Sequence, residues 1–133
     1  MTEIRKSIHL AAAPERVWDY LTRTDLLAKW FHPAAADLAE GQDYALLDSA
    51  GEPLCTGTVT RMVPHETLAM SFTARPMNGL MTEVTWTLTE TSGGTQLDLV
   101  HTGLPEDGAG YGLVLAFDKG WDDHLARMRG IDA

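Results

Sequence analysis

The sequence predicts an α+β fold in which an antiparallel sheet of about six strands curves around one long C-terminal helix. Three observations lead there. From Gly41 to Gly103 the apolar period is two. From Leu113 to Met128 it returns to helical spacing, with a single apolar stripe. A sheet with one apolar face and a helix with one apolar stripe must cover each other. The 133 residues contain no internal repeat and no linker, so they read as one domain, 1–133.

Residues 3–11 alternate, with Ile4, Ile8 and Leu10 on one parity, and predict the first strand. Pro14 suits a first helical position, and Val17, Trp18 and Leu21 follow at helical spacing, giving a helix over 14–22. Thr24 is expected to cap a second helix, with Asp25 in its first turn. Leu26, Leu27, Trp30 and Phe31 form its apolar side, and Pro33 ends it.

Tyr44 and Leu46 then alternate ahead of a Ser49-Ala50-Gly51 turn, and a strand over 54–63 runs up to Pro64. Leu68, Met70 and Phe72 mark the next strand. Val84, Trp86 and Leu88 alternate with Thr85, Thr87 and Thr89, a strand with one buried face. Ser92-Gly93-Gly94 signals a hairpin. Pairing across it sets Leu88 opposite Leu97, Trp86 opposite Leu99 and Val84 opposite His101, all on one face. In the last helix Leu113, Val114, Phe117, Trp121, His124, Leu125 and Met128 share a stripe roughly 120° wide at 100° per residue. Glu106 and Asp107 near its start, and Arg127 and Arg129 near its end, suit the helix dipole.

Ten basic residues against nineteen acidic ones give a net charge of -9, which argues against nucleic acid and anionic membranes as partners. Cys55 is alone, so no internal disulfide and no cysteine-based zinc site is expected. The N-terminus has no apolar segment of a signal peptide, and no apolar run approaches the roughly 20 residues of a membrane span, so the expected location is the cytoplasm.

No cofactor is expected. Asp122, Asp123 and His124 are consecutive on a helix and point about 100° apart, so they do not converge on a metal. Gly108-Ala109-Gly110-Tyr111-Gly112 has Leu113 where a dinucleotide fingerprint needs glycine, and reads as a flexible start to the helix or a lid. No GxSxG or other nucleophile motif is present, and Cys55 reads as a small core residue. The candidate ligand-lining residues are Tyr44, Met70, Phe72, Trp86, Leu99, His101, Phe117 and Trp121, which the parity and the helical stripe turn toward one interior. The alternative is that they only pack the core. His101 and His124 face that interior either as ligand contacts or as histidines bonded to protein partners.

The segment from Ile8 through Ala11-Ala12-Ala13-Pro14-Glu15-Arg16 to Val17-Trp18 resembles the opening of the SRPBCC superfamily, which includes START and birch-pollen-allergen domains. Trp30-Phe31, Gly57, the Pro64-His65-Glu66-Thr67-Leu68 step and Gly120-Trp121 are similar to the branch named after the activator of the heat-shock-protein-90 ATPase. The resemblance spans residues 4 to 129. It implies a helix-grip fold with an internal pocket for an apolar or aromatic small molecule. It also brings two other readings: a cyclase-, aromatase- or hydrolase-like enzyme using His101 with Tyr44 behind it, and an interaction module with a chaperone partner. A homodimer is left open.

Overall fold

The computed structural model describes residues 2–77, 79–105 and 111–130. Strand β1 (Thr2–Leu10) leads into helices α1 (Pro14–Thr22) and α2 (Thr24–Trp30). Five strands follow: β2 (Asp43–Leu47), β3 (Pro53–Val63), β4 (Thr67–Ala74), β5 (Thr82–Thr91) and β6 (Gly94–Leu104). Helix α3 (Tyr111–Arg129) ends the fold. The expected architecture is thus present, an α+β helix-grip fold.

The six strands form one antiparallel sheet in the order β1-β6-β5-β4-β3-β2. The two short helices carry the chain from one edge of this sheet to the other, because β1 and β2 are the two edge strands. Register shifts lie between Val59 and Arg61 and between Leu46 and Leu47, and such bulges increase the local twist. The β5–β6 hairpin has the register its sequence predicts, with Val84 opposite His101, Trp86 opposite Leu99 and Leu88 opposite Leu97.

One face of the sheet is the core. Ile4, Leu68, Met70, Phe72, Val84, Trp86, Leu88, Leu97 and Leu99 are all buried there. Lys6 shares this parity, yet it sits on an edge strand, so its chain reaches along the helix and its ammonium meets Asp118 at 2.8 Å and Asp122 at 3.0 Å. The hydrogen bond with Asp118 holds the Lys6 pKa above its usual value. This pair of contacts fastens α3 to β1.

Gly57 shows why one strand position must lack a side chain. A Cβ there would lie 2.0 Å from the Ser71 carbonyl oxygen and 3.0 Å from the Tyr44 ring. The Tyr44 hydroxyl donates to that same carbonyl at 2.7 Å, so the ring occupies the space that the glycine leaves.

The start of α2 differs from expectation. Thr24 is the first helical residue rather than the cap, and Arg23 holds the cap position in an extended conformation. The Thr24 hydroxyl donates to the Ala34 carbonyl at 2.6 Å and accepts the Ala34 N–H at 2.8 Å. It staples the segment after α2 back onto the helix start, a long-range use that local spacing does not reveal. Glu106, Asp107 and the glycines at 108 and 110, where a lid was expected, lie outside the described residues.

Candidate functional site

Helix α3 packs unevenly. Trp121, Leu125 and Met128 in its C-terminal half are buried, whereas Leu113, Val114 and Phe117 are half-buried and Leu115 is exposed. Its main packing is against β1 and α2. Over β3 and β4, toward the other side of the sheet, the middle of the helix leaves a cavity of about 250 Å³.

Ala116, Phe117, Gly120, Trp121 and His124 of α3 line it, with Leu54 and Cys55 of β3, Phe72 and Ala74 of β4, and Phe31 and His32 after α2. The space exists because small residues stand on both walls: Ala116 and Gly120 on the helix, Cys55 and Ala74 on the sheet. A Cβ on Gly120 would meet nothing within 4 Å. An apolar cavity of roughly 150 Å³ already suffices to take up benzene, so this one has the volume of one or two rings.

Trp121 forms the inner wall and is held by a directed chain of hydrogen bonds. Its indole N–H donates to His101 Nδ1 at 3.0 Å. The Thr82 hydroxyl donates its proton to the Phe72 carbonyl at 2.6 Å. Thr82 Oγ1 therefore accepts from His101 Nε2–H at 2.8 Å. These contacts fix His101 as the neutral Nε2–H tautomer. Burial pushes its pKa down to about 4, in agreement with that state.

A polar group borders the cavity at the junction of α2 and α3. Arg127 Nη2 donates to His124 Nδ1 at 2.6 Å, and Arg127 Nε donates to the Trp30 carbonyl at 3.3 Å. The Trp30 carbonyl also lies 3.3 Å from His124 Nδ1, but arginine has no acceptor, so its shorter contact calls for a lone pair on Nδ1 and leaves the proton on Nε2. The His32 and His124 rings lie 5.3 Å apart, and Phe31 meets the His124 ring edge-on at 4.6 Å. Burial first, and then the Arg127 charge, pushes the pKa of both imidazoles down, that of His124 to about 4. Burial likewise pushes the Cys55 thiol up to about 12.

The eight residues singled out from the sequence separate into three groups. Phe72, Phe117 and Trp121 line the cavity. Tyr44, Met70 and Trp86 instead border, with Phe72 and Trp121, a second void of only about 20 Å³, room for one water molecule. Leu99 and His101 line neither space; both are buried behind the wall. Sequence reasoning passed over Phe31, His32, Leu54, Ala74, Ala116 and Gly120, and it read Cys55 only as core. The small ones give no periodic signal, and Phe31 and His32 depend on how the α2 end turns toward α3. Among the described residues no group of three His, Cys, Asp or Glu side chains is placed to hold a metal ion. No described helix is long and apolar enough to cross a membrane.

Residues 11–131 match the family described as "Activator of Hsp90 ATPase homolog 1-like protein". Among solved structures, protein MLL2253 from Mesorhizobium loti is similar at 23% identity and a TM-score of 0.80, covering 97% of this chain and 95% of that one. The Aha1 dimer from Colwellia psychrerythraea, solved in solution, is similar at 21% identity and a TM-score of 0.80, with 97% and 94% covered. CalU16 from Micromonospora echinospora is similar at 25% identity and a TM-score of 0.74, with 95% and 71% covered. A search of the curated proteins returned no match.

Proposed function

This chain belongs to the Activator of Hsp90 ATPase homolog 1-like family, and on that premise we propose that it is a binding module taking one apolar or aromatic small molecule between α3 and the sheet. The observation that carries this reading is the 250 Å³ cavity walled by Phe31, Phe72, Phe117 and Trp121, with small residues on both sides keeping it open. A protein selected only for stability would fill that space, since glycine within a helix costs about 1 kcal/mol relative to alanine. Gly120 keeps that cost in a place where a side chain would meet no obstacle.

Binding rather than catalysis is supported by the histidine that the enzyme reading needed. Both nitrogens of His101 are committed to protein partners, and the ring does not border the cavity. The test is calorimetric titration of the protein and of Gly120→Leu with 2-naphthamide, a neutral two-ring probe. Saturable 1:1 binding to the parent, at least tenfold weakened in a Gly120→Leu variant with an undiminished urea midpoint, is the expected result. No saturable binding, or equal binding by the variant, rejects the reading.

A further inference from the structure

We propose that the occupant carries an anionic head group, a carboxylate, which His32, His124 and Arg127 receive while its ring lies among Phe72, Phe117 and Trp121. The inference rests on the binding-module reading and adds the chemical class of the ligand. The cavity is apolar almost throughout, and its two polar side chains are imidazoles placed side by side. The Arg127 contact to Nδ1 leaves the His124 proton on Nε2, so the nitrogen not engaged by Arg127 is a hydrogen-bond donor. His32 makes no hydrogen bond among the described residues, so its ring N–H is available as a second donor.

Arg127 is permanently charged and sits directly behind His124. Among the described residues it forms no ion pair within 4 Å, and the nearby Asp123 is engaged by Lys119 at 2.9 Å. Two N–H donors backed by one fixed positive charge favour an acceptor that is negative over one that is neutral. A ligand that only filled the apolar space would leave both half-exposed donors to water, whereas an anion would pair with them. The overall charge of -9 repels anions at long range, so the preference must come from this local group.

The probes are 2-naphthoate and 2-naphthamide, nearly equal in shape and different in charge, titrated calorimetrically at pH 7.5 into the protein, Arg127→Met and His32→Phe. The expected result is that naphthoate binds at least tenfold more tightly than the amide to the parent. Arg127→Met should bring that ratio close to one, and His32→Phe should lower it severalfold. Octanoate binding as well as naphthoate would support the head-group assignment and make the body of the ligand aliphatic. Amide binding without preference for the acid, or a preference that survives Arg127→Met, overturns the inference and leaves the cavity reading standing. Failure of both naphthyl probes to bind overturns the two together.

Discussion

His101 ties the chemistry of a single ring to the pH range of the fold. Its pKa is about 4 in the folded protein because burial disfavours the charged form, against 6.5 in a solvated chain. The unfolded chain therefore binds more protons between those values, and stability falls as pH drops from 6.5 to 4. The full effect for this one ring is about 3 kcal/mol. Urea midpoints measured from pH 7 to pH 4 should fall along this limb, and in His101→Gln the slope should be shallower. An unchanged slope in that variant would assign the acid sensitivity to other groups. Trp121→Phe keeps an aromatic ring but leaves His101 Nδ1 buried without its donor, and the lost donor alone should cost about 1–3 kcal/mol in the same measurement. Cys55 provides a second readout at this scale. With its thiol near 12 instead of 9, the thiolate fraction at pH 8 falls roughly a thousandfold, so iodoacetamide should label the native protein at least that much more slowly than the unfolded one.

Glycines in two kinds of element answer oppositely to the same substitution. In β3, Gly57→Ala drives a methyl group into the Ser71 carbonyl and against the Tyr44 ring. Since backbone must move, the loss should be about 3 kcal/mol, and the β2–β3–β4 pairing should loosen first. In α3, Gly120→Ala adds a methyl group to open space and removes a flexible backbone position. It should raise stability by about 0.5–1 kcal/mol, seen as a higher urea midpoint with an unchanged slope. A destabilised Gly120→Ala would mean that the helix closes on the sheet more tightly than the cavity implies. The helix is held along its length by different means: Lys6 grips Asp118 and Asp122, while Trp121, Leu125 and Met128 are buried. The cavity opens on the other side of the helix, along Ala116, Phe117 and Gly120.

For the whole molecule, a ligand in the cavity adds apolar contact beneath the least-buried half of α3. Binding should give a negative heat-capacity change and should raise the melting temperature in proportion to the logarithm of ligand concentration. Hydrogen exchange should slow most in residues 113–120, with little change in β5 and β6, whose backbone is already paired on both sides. Uniform protection across the sheet would indicate that the probe binds elsewhere.

The elements, the inward parity of each strand and the β5–β6 register were all legible in the sequence, because apolar period and turn chemistry are local. Val84, Trp86, Leu97 and Leu99 could be placed on one buried face from spacing and a two-residue turn alone. The same reasoning turned every inward side chain toward one interior and so grouped Leu99 and His101, which stand behind the wall, with Phe72, Phe117 and Trp121, which line the cavity. Parity says which way a side chain points, but not whether another side chain fills the space it points into. That depends on the separation between α3 and each strand, which Lys6, α2 and Trp121 set through contacts across the whole chain. It depends equally on Ala74, Ala116 and Gly120, whose contribution is missing volume, and missing volume leaves no periodic trace. The donor roles of His101 and His124 were likewise decided only when folding placed Trp121, Thr82 and Arg127 around them, because a histidine's tautomer is fixed by its partners.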